Sequence, residues 1–503
     1  MTDRTQLQER AQAQEAAGDL GPLSETYAAL ARLTPDDAVL RAALASVEQR
    51  RGNFEAAERH YHLALQLDPE LMAAWSNLGV IQRNTGRPDE AAASFRHAVT
   101  LDPANAAARV NLGLAACEAD DLVAGIAEYR RALELAPGLP EAHFNLANAW
   151  CAVGDLSAAV ASYTEAIMRR PGYADARWNM AHALLALGDY ARGWEAFEAR
   201  WETAQLKADA RPHAAPLWAG EDLAGKTIYI WGEQGFGDVL QFCRYVPLAA
   251  ARGARVILGV QPHLMTLMAS LAGAAQVLDL RETPSAFDFH CPVMSLPRAF
   301  GTTPDSVPAA VPYLFADPAL AVPFQARMTA NRRLHVGLVW SSGIRRHSDS
   351  LLRVGLEKSV LPALLSLLDH KSVQFFSLQV DESMPTGGLP MVDLSGDLRN
   401  FADTAAAISS LDLVISVDTA VAHLAGALGK PVWLLLNANP CWRWALSTAS
   451  SPWYPGMRVF RQTSAGDWRA PLGAARNALL ESLAARTGTE RKGVFSRLAG
   501  LLR

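Results

Sequence analysis

Prolines stand at Pro35, Pro69, Pro103, Pro137 and Pro171, each 34 residues after the one before. A fixed step of this length restricts the N-terminal part of the chain to stacked helical hairpins, each burying its apolar face against its neighbours. Other positions keep the step. Gly18, Gly52, Gly86, Gly154 and Gly188 form one series, with Asp120 once in place of glycine; Ala64, Ala98, Ala132 and Ala166 form another, with Leu30 in the first unit; Leu44, Leu78, Leu112 and Leu146 form a third. The register holds for six units. Glycine permits the tight turn between two helices, small residues let the helices approach, and proline ends the second helix before the next unit starts. Tyr27, Tyr61, Phe95, Tyr129, Tyr163 and Phe197 are expected to fill one recurring core position. The sixth unit departs from the pattern: Met180, Gly193 and Arg200 stand where a leucine and two alanines are expected, and no proline follows. A terminal repeat that meets a different surface is expected to be atypical.

These positions resemble the tetratricopeptide repeat family over roughly residues 4–207, most closely in segment 72–105 with Trp75, Leu78, Gly79, Gly86, Ala91, Phe95, Ala98 and Pro103. The resemblance implies a concave groove that holds a protein or peptide; an internal scaffold or a self-association surface is the competing reading. The aromatic stripe reads as core rather than as a binding surface.

With half of its 503 residues hydrophobic and 19% charged, the chain has apolar surface to bury throughout. A net charge of -5 gives no field that would attract a polyanion, so nucleic acid is not expected as a partner. Cys117, Cys151, Cys243, Cys291 and Cys441 are scattered without C-x-x-C spacing, which argues against a disulfide framework and a zinc site. The opening MTDRTQLQER is polar where a signal peptide needs an apolar stretch, and no apolar run reaches the length of a membrane span. The expectation is a cytoplasmic protein with no transmembrane segment.

Past residue 207 the rhythm changes. A Pro- and Ala-rich connection is followed by short β-branched or aromatic runs that alternate with helical stretches: KTIYIW (226–231), RVILGV (255–260) and AFDFH (286–290). After a second Pro-rich joint the pattern restarts with LHVGLVW (334–340), VQFFSLQ (373–379), LDLVIS (411–416) and KPVWLLL (430–436). The expected fold is α + α/β, a helical repeat solenoid followed by two Rossmann-like α/β halves with a cleft between their carboxyl-edge loops. The expected divisions are 1–207 for the array, 208–222 for a linker, 223–318 and 334–486 for the halves, 319–333 for their joint and 487–503 for a basic tail. The tail reads as a frayed terminal helix rather than a membrane-docking one.

Three loops carry candidate chemistry. GEQGFGD (232–238) follows a strand and opens a helix, so the amides of Gly235 and Gly237 can approach an anion closely. Its spacing is not the dinucleotide fingerprint, which disfavours a nicotinamide enzyme. Asp238 reads either as a proton acceptor at the mouth of the cleft or as a helix cap. In WSSGIRRHSDSLLR (340–353), Ser342, Gly343, Arg346 and Arg353 form a candidate diphosphate cradle, against the alternative of a solvated basic loop. In SVDTAVAHLAGALGKP (416–431), Asp418 and Thr419 stand where a strand turns into a helix whose N-terminus favours phosphate, and His423 lies one turn on, on the same face. A satisfied core histidine is the competing reading. Arg443, between Trp442 and Trp444, is a candidate donor contact, with Trp453 and Tyr454 close behind; these aromatic planes either stack on a base or pack the loop.

The two halves resemble the two-Rossmann-domain (GT-B) glycosyltransferases, and among them the bacterial heptosyltransferases, over roughly residues 224–486. Gly237-Asp238 is similar to that family's Gly-Asp motif, and SVDTAVAHLAGALGKP to its Asp-Thr…His-Leu motif. The resemblance implies a catalytic base at Asp238 in an acceptor-side half, and sugar-nucleotide binding at Asp418, Thr419 and His423 in a donor-side half. Repeats joined to such halves resemble the bacterial repeat-linked glycosyltransferases, including those that modify flagellin, and are similar in plan to the nucleocytoplasmic O-linked N-acetylglucosamine transferases. The implied function is transfer of a hexosyl, heptosyl or nonulosonyl group from a nucleotide sugar to Ser or Thr of a protein held by the repeats, flagellin being one such protein. The nucleotide sugar is a substrate, and no cofactor is expected. No D-x-D motif stands at a strand end, so protein groups rather than a metal are expected to meet the phosphate charge. Relatives carry a lysine and asparagine-rich stretch after GLVWSG where this chain has Ser348, Asp349 and Ser350, so Arg346 or Arg353 has to substitute. Two competing readings are an acceptor that is a lipid-linked or surface glycan, and a non-catalytic repeat adaptor with a relic transferase domain.

Overall fold

The structure, a computed structural model, describes residues 4–328, 333–341, 371–380, 391–438, 441–444, 449–464 and 466–501. The N-terminal part consists of paired helices. The first helices of the pairs are Arg4–Ala17, Ala38–Arg50, Met72–Asn84, Ala106–Glu118, Pro140–Val153 and Ala174–Ala186. The second helices are Leu20–Leu33, Phe54–Leu67, Pro88–Leu101, Leu122–Leu135, Leu156–Arg169 and Tyr190–Phe197. Within two residues of its end, each first helix is followed by a residue with positive φ: Gly18, Gly52, Gly86, Gly154 and Gly188 at 73–85°, and Asp120 at 66°. The left-handed conformation disfavours a Cβ and tolerates a short polar side chain best after glycine, which is why aspartate is the one replacement the series accepts. Tyr61, Phe95, Tyr129, Tyr163 and Phe197 are buried with Ala64, Ala98, Ala132 and Ala166. The periodic aromatics are core, except that Tyr27 is only partly buried against the cluster of Leu7, Leu23 and Leu30.

The chain divides into two compact units, Met1–Asn179 and Met180–Arg503. The division falls inside the helix Ala174–Ala186, so the second helix of the sixth repeat belongs to the second unit. Within that unit its departures have partners. Arg200 is fully buried, and its Nε and Nη2 lie 2.8 and 2.9 Å from the two carboxylate oxygens of Glu233, with Nη2 donating to Ser295 Oγ at 2.7 Å. Gly193 lies against Leu185, where a Cβ would come within 2.7 Å of the side chain. Trp194 meets Phe242 and Trp442 edge-on, and Tyr190 stacks on Trp453.

Two parallel sheets follow. The first has the order β3-β2-β1-β4, with β1 (Thr227–Trp231), β2 (Arg255–Val260), β3 (Ala274–Asp279) and β4 (Phe289–Pro292). The second has the order β10-β9-β8-β5-β6-β7, with β5 (Leu334–Val339), β6 (Val373–Ser377), β7 (Met391–Asp393), β8 (Leu413–Val417), β9 (Val432–Leu436) and β10 (Met457–Arg461). Strands β8 and β9 are buried along their whole length, as continuous apolar runs in a parallel sheet should be. The sequence does not flag β3, β7 and β10, and all three lie at sheet edges, where half-exposed strands such as AAQVLD carry no such run. The fourth strand begins three residues later than its aromatic run suggests; just before it, the Asp288 carboxylate accepts from Thr227 N at 2.7 Å.

In each sheet the order reverses beside a central strand, between β1 and β4 in one and between β5 and β8 in the other. Doubly wound sheets bind ligands outside the carboxyl ends at these reversals. The loops after β1 and β8 are therefore among those placed to act. The expected connection before β1 contributes a bridge from Leu217 to His290 and buries Trp218. Part of the joint between the halves is a helix, Pro318–Arg327, capped by Asp317. After β10 the helix Arg469–Leu501 packs Leu472, Ala475, Ala478 and Leu479 into the core of the second sheet. Among the described residues no helix is long and apolar enough to cross a membrane.

Candidate functional site

The loop 232–235 leaves the buried strand β1 and turns into the helix Phe236–Phe242. Gln234 takes a positive φ of 54°, and Gly235 then starts the helix. Asp238 is the third helical residue, and its Oδ2 accepts from Gly235 N at 3.1 Å, so the capping geometry is present. Its other oxygen, Oδ1, pairs with Nη2 of Arg443 from the second half. The cap and the ion pair coexist on one carboxylate, with Asp238 18% and Arg443 10% exposed. This degree of burial strengthens the attraction relative to bulk water and leaves the pair reachable from outside.

Arg443 is held from several directions. Its Nε donates to Gln241 Oε1 at 2.8 Å, its Nη1 lies 3.0 Å from Cys441 Sγ, and its plane sits 4.5 Å over the Trp442 ring. Burial works against its charge, but Cys441, Asp238 and Asp418 together hold its pKa above the ordinary arginine value. The guanidinium is thus a fixed cation at the contact of the two halves.

On the second half, Thr419 caps the helix Ala420–Ala427, accepting from Ala422 N at 3.4 Å, and shares a 2.9 Å hydrogen bond with Ser416 Oγ. Asp418 is buried at the carboxyl end of β8, with Oδ1 3.9 Å from His423 Nε2. His423 is buried, bonds Tyr454 Oη through Nδ1 at 2.9 Å and stacks on Trp444 at 5.0 Å. Gly237 permits this meeting, because a Cβ there would stand 3.0 Å from His423 Cδ2 and 3.6 Å from Ala420 Cα. The two helix starts approach at a glycine on one side and an alanine on the other.

The structure therefore brings Asp238, Gly235 and Gly237 of one half together with Asp418, Thr419, His423 and Arg443 of the other. Ser342, Gly343, Arg346 and Arg353 lie outside the described residues; the strand before them is followed by Trp340 and Ser341, whose amides both donate to the buried Gln379 Oε1 at 3.2 and 3.1 Å. The aromatic residues around Arg443 pack the loop: Trp442, Trp444, Trp453 and Tyr454 are all buried.

Several contributors carry little sequence signal. Gln241 follows Asp238 by three residues and so shares its helix face, the one cue that helical spacing offers. Glu233 sits in the glycine loop itself, yet its partner Arg200 comes from the last repeat. Arg244 Nη1 donates to the carbonyls of Trp453 at 2.7 Å and Pro308 at 3.1 Å, and its Nη2 donates to Tyr313 Oη at 2.8 Å. No local pattern announces such long-range pairing.

Residues 42–106 and 82–140 match one tetratricopeptide repeat family and residues 152–211 match another. Residues 381–450, the stretch holding Asp418, Thr419, His423 and Arg443, match glycosyltransferase family 9 (heptosyltransferase). The chain thus carries tetratricopeptide repeats and a heptosyltransferase-family segment. Among curated proteins it is similar to Protein FlbA of Caulobacter vibrioides, at 29% identity over 326 residues covering 57% of this chain and 52% of that one. The match spans about half the length of this relative. Among solved structures, MamA is 26% identical with a TM-score of 0.31, covering 33% of this chain and 97% of its own. YrrB, described as a TPR protein with an unusual peptide-binding site, is 21% identical with a TM-score of 0.32, covering 36% of this chain and 92% of its own. A tetratricopeptide repeat protein from Parabacteroides merdae is 18% identical with a TM-score of 0.36, covering 42% and 81%.

Proposed function

We propose that this chain is a glycosyltransferase that moves a sugar from a nucleotide-sugar donor to a serine or threonine hydroxyl of a protein held by its repeats. The observation that carries the reading is the meeting of Asp238 with Arg443 across the two halves, where Arg443, Asp418, Thr419 and His423 belong to the segment matching a transferase family and Asp238 lies outside it. The leaving group is an anionic phosphate, and the fixed guanidinium of Arg443 with the amide end of the helix Ala420–Ala427 supplies positive potential for it. A phosphate at that position competes with Asp238 for Arg443. With the Arg443 guanidinium shared between the phosphate and Asp238, the hold on Asp238 Oδ1 weakens and that oxygen becomes available to the acceptor.

In the step itself the acceptor oxygen forms a bond to the anomeric carbon as its proton passes to Asp238. The bond from that carbon to the phosphate oxygen breaks, and the electron pair leaves with the nucleotide. Ser342, Gly343, Arg346 and Arg353 complete the donor cradle in this scheme. The repeats raise the local concentration of the acceptor side chain. Flagellin is the first acceptor to try, since the resemblance of the combined architecture is to transferases that modify it, and the cytoplasm is where such a reaction would run.

Asp238→Asn keeps an oxygen for the Gly235 amide and removes the carboxylate base. The expected result is turnover lower by at least about 100-fold with an unchanged circular dichroism spectrum. Label from a radioactive nucleotide sugar should appear in a co-expressed protein and not in lipid extracts. Unchanged turnover in Asp238→Asn would remove the base assignment, and label in lipid alone would change the acceptor class.

A further inference from the structure

We infer that Tyr454 is a positioning residue that holds His423 as a neutral imidazole with its proton on Nε2, and that this histidine donates to the phosphate of the donor; the second part rests on the function proposed above. The hydroxyl of Tyr454 and Nδ1 of His423 are 2.9 Å apart. Two proton arrangements fit that distance, and the surroundings decide between them. Tyr313 Oη accepts from Arg244 Nη2 at 2.8 Å and donates to the Leu240 carbonyl at 2.9 Å. The competing acceptor for the Tyr454 proton is that same Tyr313 oxygen, 3.5 Å away, at the limit of hydrogen bonding. The proton therefore goes to Nδ1, which is both closer and the stronger acceptor of the two. Burial pushes the Tyr454 phenol above its ordinary pKa, so the hydroxyl stays protonated and able to donate.

With Nδ1 accepting, the ring carries its hydrogen on Nε2, on the side of Asp418 Oδ1 at 3.9 Å and near Gly237 of the opposite half. That is where the two helix starts meet. A second partner fixing the tautomer and plane of a working imidazole is a recurrent device, because the nitrogen that faces the ligand takes its role from the bond made by the other. The ring of Tyr454 is itself held. It lies flat against the helix Ala420–Ala427 at Gly426, three residues beyond His423 on the same face, where a Cβ would come within 2.5 Å of Cδ1. Arg244 also stands 4.6 Å over it and 4.5 Å over Tyr313. A continuous series of contacts thus runs from Arg244 and Tyr313 of the first half through Tyr454 to the imidazole.

Two variants test this. Tyr454→Phe removes the hydroxyl and keeps the ring; Gly426→Ala keeps the hydroxyl and displaces the ring. Nitrogen-15 spectra of histidine-labelled full chain, with His423→Gln to assign the signal, read the tautomer without any need for activity. The expected result is Nε2–H for His423 in the parent and loss of that single tautomer in both variants. An Nδ1–H signal in the parent, or an unchanged signal in Tyr454→Phe, overturns the inference. In a second arm UDP, GDP, CDP and ADP are titrated calorimetrically. The nucleotide that the parent binds should bind Tyr454→Phe about tenfold more weakly, the loss of roughly one hydrogen bond to a charged group. Equal binding overturns the donor-positioning half. If none of the four binds the parent, the proposed function fails at this point, while the tautomer result still decides the role of Tyr454.

Discussion

The most consequential single residue outside the candidate site is Arg200. It is an arginine where the repeat pattern asks for alanine, and it is fully buried between Glu233, Glu198 and Ser295. A buried ion pair adds little stability relative to apolar packing, but breaking one member leaves the other charged and desolvated. Arg200→Met should therefore destabilise the second unit by about 3–5 kcal/mol, and adding Glu233→Gln should recover most of that. Urea unfolding followed by tryptophan fluorescence measures both. A single variant costing under about 1 kcal/mol would show that the pair is not desolvated in solution. The sequence marked Arg200 as a departure, yet offered no hint of Glu233, which lies 33 positions further on and in a different fold layer. The same limit applied to Asp238 and Arg443. Each stood out locally, one in a glycine loop and one between two tryptophans, but their pairing across 205 positions is a property of the folded sheets.

Elements with a strict period were readable almost residue by residue, because each position in the hairpin array answers one local demand. A left-handed turn asks for glycine, the helix crossing for a small residue, the core for an aromatic ring. The α/β strands were readable where both faces are buried and silent at the edges, since an edge strand such as β7, of three residues, needs neither β-branching nor an apolar run. The helix crossings also allow a quantitative check. At Gly79 a Cβ would lie 2.8 Å from the ring of Phe95, which is itself completely buried and closely packed. Gly79→Ala should thus destabilise the array by about 1–3 kcal/mol, despite the gain in helix propensity of roughly 1 kcal/mol that the same change brings at an open helical site. Gly21 is the control, because a Cβ there would meet nothing within 4 Å, and alanine should be neutral or stabilising. Thermal melting of both variants separates crowding from propensity; a raised midpoint in Gly79→Ala would mean that Phe95 yields.

At the scale of the whole molecule, sequence resemblance and physical packing divide the chain differently. Residues 152–211 match a repeat family, while the compact second unit begins at Met180. Both are correct in their own terms: the last hairpin keeps the repeat pattern, but its second helix has become part of the α/β core. Tyr190 stacks on Trp453, Trp194 meets Phe242 and Trp442, Arg298 pairs with Glu195, and Arg200 holds the glycine loop through Glu233. Burying side chains such as Tyr190, Trp194 and Phe197 contributes about 1.5–3 kcal/mol each, a sum comparable with the roughly 5–15 kcal/mol that separates a folded domain from its unfolded chain. The consequence is a sharp dependence on where the chain is cut. A chain of residues 174–503, which keeps the final helix pair whole, should melt cooperatively and bind the same nucleotide as the full chain, while losing transfer to a protein acceptor. A chain of residues 208–503, cut where the repeat pattern ends, should show no cooperative melt and no nucleotide binding, because Phe242, Trp442, Trp453 and Glu233 lose their partners together. Circular dichroism melting and calorimetric titration on the two chains decide it. If the shorter chain melts at the same temperature as the longer, the last repeat is only a neighbour of the α/β unit and not a structural part of it.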